Sequence, residues 1–319
     1  MSLLCVITPC FNEELNIEKC YSEVRDVLNS LSSPIEYIHL FSDNASTDGS
    51  VALIKKIAAS DPHVRLLVNS TNVGPFRNMA SAMRNIPANV DLVIPMIPAD
   101  LQDPPSVIPE MLDKMKTGIS IVYGVRQNRR ESRKLKMARG LYYMLLKRLG
   151  ATSPPAHAGE FMLITKEVAD FVNSSNEEHP YIRGLVAKSG HSFDVISYDW
   201  QERTSGKSRN SWLDLFDQGM NGLIKTTRTP ARLAILFGVA IAIGGFLLAF
   251  VTLFMQISGL ENSARGIPTV LIAISVFGGT QLIFLGVIGE YVLDIHTKLH
   301  ADNRVRISER VNFEGDPLS

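Results

Sequence analysis

Asp100 and Asp103, in the stretch Met96–Pro105 (MIPADLQDPP), are the residues whose type and spacing first suggest chemistry. They lie in a polar turn after an apolar run, and Pro104–Pro105 keep that turn from continuing into a longer helix. Two acidic groups beyond a strand end suit a divalent cation that neutralises a departing diphosphate. An ordinary acidic strand-to-helix loop reads the same way from this segment alone. Three more polar segments follow apolar runs: Thr8–Glu14 (TPCFNEE), Ser42–Ser50 (SDNASTDGS) and Asn72–Arg77 (NVGPFR). Helix capping accounts for Ser46, Thr47 and Asp48 without a ligand. A last group is cationic: Arg203, Lys207 and Arg209, with Ser208, in Gln201–Asn210 (QERTSGKSRN). Arginine grips a phosphate bidentately and a serine adds a hydroxyl donor, although cations beside a membrane also serve as topology anchors.

The elements that must position these groups alternate in type. Leu3–Thr8 is a continuous apolar run, after which Leu15, Ile17, Tyr21, Val24, Val27, Leu28 and Leu31 recur at helical spacing. Ile35–Phe41, Val64–Val68, Asp91–Ile97 and Ile119–Tyr123 read as further strands, the last closing the series. Helices are expected over Val51–Ala59 and from Pro75 to Arg84. This alternation indicates an α/β fold with a mostly parallel sheet covered on both faces. Open sheets of that kind bind ligands at the carboxyl ends of their strands, where the four uncharged or acidic segments fall. Pro95 sits badly in a central strand.

The chain has 319 residues, enough for a sizeable core, and a formal net charge of zero, which argues against a general nucleic-acid binder. Cys5, Cys10 and Cys20 lack metal-ligand spacing and are expected as reduced thiols of a cytosolic domain. Composition changes near residue 230. Leu233–Met255 and Ile267–Ile288 are apolar runs of about 22 residues, each long enough to cross a hydrocarbon core of roughly 30 Å. A buried helical hairpin would need surrounding protein that this part of the chain does not supply. Lys225, Arg228 and Arg232 flank the pair on one side, and Lys298, Arg304, Arg306 and Arg310 on the other, so both flanks are expected to face the cytoplasm. Arg129–Leu149 mixes cations with Leu135, Tyr142, Leu145 and Leu146 as an interfacial amphipathic helix would, or as a domain helix with one solvated face. Ser211–Thr227 reads as a second surface helix.

In their joint order these motifs resemble the family 2 glycosyltransferases that load sugars onto polyprenyl phosphate, of the dolichol-phosphate mannosyltransferase and bactoprenol glucosyltransferase type. Met96–Pro105 is similar to their D-x-D-L-Q-D-P-P signature, Thr8–Glu14 to their P-x-Y-N-E strand end, and Ser42–Gly49 to their D-D/N-x-S-T-D-G loop. Gln201–Asn210 resembles their R-x-x-G-x-S-K loop, and Gly289–Val292 (GEYV) their G-E-Y ending. The likeness covers nearly the whole chain. It implies a Rossmann-like GT-A nucleotide-sugar-binding domain over 1–210, with an interfacial helix at about 129–149. A juxtamembrane helix would follow over 211–232, then a transmembrane hairpin over 233–290 (spans 233–255 and 267–288) and a cytoplasmic tail over 291–319.

The resemblance also implies roles. Pro9, Glu13 and Asp43 would contact the nucleoside, and Asp100 the diphosphate and a Mg²⁺ or Mn²⁺ ion. Arg203, Ser208 and Arg209 would hold the acceptor phosphate, and Glu160 would take an acidic role near the sugar, with Asp100, Glu160 and Arg203 as the catalytic set. The reaction would be inverting transfer of a hexose-type sugar from a nucleoside-diphosphate sugar, UDP-linked by preference, to undecaprenyl-type polyprenyl phosphate. It would occur at the cytoplasmic face of the inner (plasma) membrane, among membrane lipids and without nucleic acid, in cell-envelope glycan synthesis; a homo-oligomer is left open. The chain departs from the pattern at Pro98, which replaces the first signature Asp, at His157, and at Met162 within Gly159–Leu163. Arg77 stands near where relatives carry Lys or His, and Asp103 or Glu160 stands as a second metal contact. The alternative is a catalytically silent relative that binds nucleotide or lipid. A processive polysaccharide synthase would need more spans and a Q-x-x-R-W motif, which the chain lacks.

Overall fold

The structure, a computed structural model, describes residues 2–127, 154–155, 158–175, 181–199, 201, 267–300 and 305–313, with scattered positions between 238 and 258. The chain divides into two compact units. One comprises Met1–Lys147, Thr152–Ser211 and Ala301–Ser319, the other Arg148–Ala151 and Trp212–His300.

In the first unit, β1 (Leu3–Cys10), β2 (Glu36–Asp43), β3 (Val64–Asn69) and β4 (Leu92–Ile94) form a parallel block in the order β4-β1-β2-β3. β1 and β2 are buried along almost their whole length, as strands sandwiched between helical layers must be. The helices between them are α1 (Glu14–Asn29), α2 (Ser50–Ser60) and α3 (Pro75–Arg84). α1 buries Ile17, Cys20, Val24 and Leu28, the three-to-four spacing of one helical face. Gly74, at φ 83°, turns the chain into α3, and Pro75 supplies a preset first helical residue. α4 (Ile108–Met115) follows a 3₁₀ turn at Pro105–Val107.

The sheet does not close at β5 (Ile121–Gln127). β6 (Ala158–Thr165), α5 (Lys166–Asn173), α6 (Ile182–Lys188), β7 (Phe193–Asp199) and β8 (Ile307–Val311) follow among the described residues, giving the order β7-β5-β6-β4-β1-β2-β3-β8. β6 runs antiparallel to both β4 and β5, and β7 parallel to β5, so the sheet is mixed. That reversal brings the start of β6 to the same edge as the ends of β1, β2, β4, β5 and β7.

Two further expectations change. The strand expected over Asp91–Ile97 stops at Ile94, because Pro95 has no N–H to offer; Ile97 N–H rejoins β1 through Ile7 O at 2.8 Å. The segment expected as a tail returns to the sheet as β8, antiparallel to β3. Asn312, at φ 63°, pins the end of β8 by donating its amide to Ala58 O and Val64 O, both at 2.8 Å.

In the second unit α7 (Ile267–His300) runs 34 residues, and the described residues between 238 and 257 are helical. A Cβ at Gly238 would lie 3.5 Å from the Phe284 ring, and one at Gly245 2.8 Å from that of Phe277. Rising positions on one helix thus meet falling positions on the other, so the two lie antiparallel. Large apolar side chains are exposed on both, among them Leu247, Phe250, Phe254, Ile274, Leu282, Leu285 and Val292. Among the described residues no helix is long and apolar enough to cross a membrane. The expected span 233–255 lies largely outside the described residues, as do the expected helices at 129–149 and 211–232.

Candidate active site

The loops after β1 and β2 are tied to each other residue by residue. Asn12, in the left-handed region at φ 55°, donates its N–H to Ser46 Oγ at 2.9 Å, and its side-chain oxygen accepts Thr47 N–H at 2.8 Å. Glu13 N–H reaches Ser50 Oγ at 3.0 Å, and Gly49 N–H reaches the Glu14 carboxylate at 3.0 Å. A Cβ at Gly49 would meet that carboxylate, the movable end of the Glu14 side chain, which would have to swing aside. Capping therefore accounts for only part of this loop. Asp48 does take Ser50 N–H at 3.0 Å, whereas Ser46 and Thr47 hold the neighbouring loop. Asp43, wholly buried at the end of β2, accepts Ser46 N–H at 2.8 Å. Glu13 opens α1 with its carbonyl and takes the Asn16 amide on its carboxylate. Pro9 pairs in register with Ser42 between these loops.

Two buried thiols belong to this neighbourhood, Cys10 Sγ standing 3.8 Å from Asp43 Oδ1. Burial pushes Cys10 well above the usual thiol range, and Asp43 and Glu13 push it further. Burial likewise pushes Cys20 up to about 12, with Glu23, Asp100 and Glu13 adding to the effect. Glu13 thus raises both thiols, Asp43 the first and Asp100 the second. All three cysteines are free and buried. Below them Thr8 Oγ1 and His39 Nε2 bond at 2.9 Å, and burial lowers the imidazole to about 3.

A buried amide network floors the side of the site nearest β3. Asn78, on α3, donates to Ser42 O at 2.8 Å while its carbonyl accepts Ser42 Oγ at 2.7 Å and Asn69 Nδ2 at 2.9 Å. Asn44 holds Asn72 and Val73 N–H, both within 2.9 Å, and so shapes the loop that leads to Gly74 and Arg77. Asn44 and Asn72 lie in polar segments read from the sequence, whereas Asn69 and Asn78 were not singled out; a cluster of Asn after β2 and β3 was the available signal.

The turn after β4 separates its two acids. Asp103 is fully buried, and Arg126, at the end of β5, binds it through Nε to Oδ1 at 2.8 Å and Nη2 to Oδ2 at 2.6 Å. Tyr198 of β7 donates its hydroxyl to the same carboxylate. Burial alone would lower the Arg126 guanidinium, but Asp103 beside it raises it. Asp103 is thus committed to Arg126 and is not set out as a second metal contact. Asp100 is 8 % exposed and accepts a long bond from Gln102 N–H, 3.4 Å. Leu101 between them takes φ 56°.

Glu160, on β6, is engaged as well. Arg183 N–H donates to Oε2 at 3.2 Å and the guanidinium Nε lies 3.7 Å from Oε1. Burial raises the Glu160 carboxyl, and Arg183 opposes the rise. Met162 is a core residue of β6, facing Tyr123, so the side chain that departs from the family motif contributes packing. Arg203, Ser208, Arg209 and His157 lie outside the described residues.

Could these residues hold a divalent ion? Among the described residues no group of three or more His, Cys, Asp or Glu is arranged to do so. Mg²⁺ and its analogues commonly use one or two protein carboxylates, completed by waters and phosphate oxygens. Asp100 fits that pattern, and the donor set suits an ion that arrives with a diphosphate rather than a resident one. A cavity of about 650 Å³, lined by Ser30, Pro34, Asp91, Lys116 and Ser120 among others, opens at the opposite edge of the sheet and contains none of the candidate residues.

Comparison with known proteins completes the description. The model of glycosyl transferase family 2 matches residues 5–172. The uncharacterized glycosyltransferase YkcC of Bacillus subtilis (strain 168) is 30% identical over 288 residues, covering 90% of this chain and 87% of its own. The bactoprenol glucosyl transferase of Shigella phage SfV is 30% identical over 289 residues, 90% of this chain and 92% of its own. Among solved structures, the mannosyltransferase PcManGT from Pyrobaculum calidifontis, in complex with GDP-Man and Mn²⁺, superposes with a TM-score of 0.47 at 15% identity, over 93% of this chain and 87% of that one.

Proposed function

Because this chain belongs to glycosyl transferase family 2 and is a glycosyltransferase, we propose that it transfers a hexose-type sugar from a nucleoside-diphosphate sugar, UDP-linked by preference, to polyprenyl phosphate at the cytoplasmic membrane face. The observation that carries this reading is the position of Glu13, Asp43 and Asp100 at or after the carboxyl ends of β1, β2 and β4, neighbouring parallel strands of what we take to be a GT-A domain. The bactoprenol glucosyl transferases, similar to this chain over nearly its whole length, favour a lipid phosphate as the acceptor.

Glu13 and Asp43 hold the nucleoside, from loops made rigid by their mutual bonds. Asp100 holds a divalent ion, Mg²⁺ or Mn²⁺, whose chemistry is to neutralise charge on the leaving diphosphate. Arg203, Ser208 and Arg209 bind the acceptor phosphate. That phosphate is a monoester with a second pKa of about 6, so it is largely dianionic near neutrality and attacks without a general base. The loss of a carboxylate at Pro98 is therefore less damaging than it would be for a hydroxyl acceptor. Glu160, held by Arg183, presents an acid at the sugar side of the same edge.

The second unit forms a membrane hairpin in this reading. Its antiparallel helices expose Leu247, Phe250, Leu282 and Leu285, side chains that lipid would cover. The chain leaves the first unit after residue 211 and returns to it in β8, which supports an even number of crossings between.

The test is direct. Purified protein in detergent is mixed with undecaprenyl phosphate, Mn²⁺ or Mg²⁺, and a panel of UDP- and GDP-sugars. Lipid-linked sugar should form with at least one donor. Intact nucleotide binding with no product from any donor would instead favour the silent relative.

A further inference from the structure

The turn that carries Asp100 and the segment that leads to Arg203–Arg209 are joined at their roots, in part by Tyr198 and Arg126, which belong to no motif. Tyr198 hydroxyl donates to Asp103, and Gln201 N–H donates to Gln102 O at 3.1 Å, so both the side chains and the backbones of the two segments are stitched together. Arg126 closes the joint from β5, with its fork on Asp103 and its Nε 3.4 Å from the Tyr198 hydroxyl. The fold makes room for this. A Cβ at Gly159 would stand 3.3 Å from Arg126 Nη2, and one at Gly124 would stand 2.8 Å from the Tyr198 ring and 2.9 Å from Phe161 O. Phe161 packs edge-on against Tyr198 with ring centroids 5.5 Å apart.

We propose that Asp103, Arg126 and Tyr198 are positioning residues that couple the donor-side turn at Asp100 to the acceptor-side segment beginning at Gln201. The inference rests on the functional reading above. A ligand that orders the turn orders Gln102, and through it Gln201, so less conformational freedom remains to be lost when the second ligand binds. Because coupling between two binding sites is reciprocal, each ligand tightens the other by the same factor. Asp103, buried and charge-paired, is the rigid centre of the joint, while Tyr198 and Gln201 are its acceptor-side arm.

The experiment uses the full chain in detergent micelles. Calorimetry measures the affinity for UDP with Mn²⁺, and for GDP with Mn²⁺, in the absence and presence of undecaprenyl phosphate. Wild type should bind one nucleotide about 5-fold or more tightly when the lipid is present. Tyr198→Phe should bring that ratio towards one while leaving the affinity for the nucleotide alone little changed, a split that loss of fold stability does not produce. Arg126→Lys, which keeps the charge but loses the fork, should give an intermediate ratio and carries the test should Tyr198→Phe not fold. A wild-type ratio of one, or a wild-type ratio retained in both variants, would overturn the proposal. Failure of the wild type to bind either nucleotide with Mn²⁺ is a different result: it removes the functional reading, and this coupling with it.

Discussion

Arg126 grips Asp103 with two parallel bonds, 2.8 and 2.6 Å, and so commits to the framework one of two acids that stand three positions apart. Asp103→Asn would keep the shape and leave the Arg126 charge without its counter-ion. Breaking a buried pair from one side costs about 3–5 kcal/mol, so the denaturant midpoint should fall accordingly. A change below about 1 kcal/mol would show that the pair is not holding the turn.

Asp100→Ala should act on chemistry. Transfer should fall by about 100-fold or more, and Mn²⁺ binding in the presence of UDP should weaken in parallel, read by electron paramagnetic resonance of the free ion. Without nucleotide, wild type should bind Mn²⁺ weakly, since one carboxylate is a poor site alone. Pro98→Asp should leave transfer intact or tighten the ion. Wild-type transfer in Asp100→Ala would disprove the assignment.

His39 predicts a pH dependence. Burial depresses its folded pKa from 6.5 to about 3, so between those values the unfolded chain binds the proton and the folded chain does not. Its contribution to stability is complete above about pH 6.5 and is lost as pH falls towards 3, at up to about 1.4 kcal/mol per pH unit. His39→Gln should flatten the stability profile between pH 4.5 and 6.5, whatever it does to the plateau. An unchanged slope would place the acid sensitivity elsewhere.

Asn312 tests the closing strand. Asn312→Ala loses two bonds to buried carbonyls and leaves a side chain at φ 63°, a loss of about 2–3 kcal/mol. Asn312→Gly loses the same bonds without the backbone strain and should be milder by about 1 kcal/mol. Equal losses would mean that strain plays no part. Thermal midpoints of the two variants decide it.

The proposed topology can be read with an impermeant maleimide. The native thiols Cys5, Cys10 and Cys20 are buried and should stay silent in intact spheroplasts. Glu261→Cys, between the expected spans, should label from outside, and Ser319→Cys should not. Labelling of both, or of the second alone, would sink the hairpin.

The parallel half of the fold was legible because its strands are buried on both faces and announce themselves as apolar runs: β1, β2 and β3 lie within two residues of their expected ends, and α3 runs from Pro75 to Arg84 as expected. β7 was missed although it alternates, and β8 because a five-residue strand carries too little pattern to read without its partner. The four polar segments were found by position after apolar runs, and by their order the family followed. What they do to one another was not legible. Asp103, Arg126 and Tyr198 are separated by 23 and 72 positions, and Glu160 and Arg183 by 23, so no local spacing links them. By itself the sequence determined the parallel strands β1 to β4, the helices between them and the motif order that shows the family, since these depend on local pattern. Tertiary structure alone decided which acid is committed to an arginine and which strand closes the sheet, because both depend on strands that meet only when the antiparallel β6 and β8 fold back.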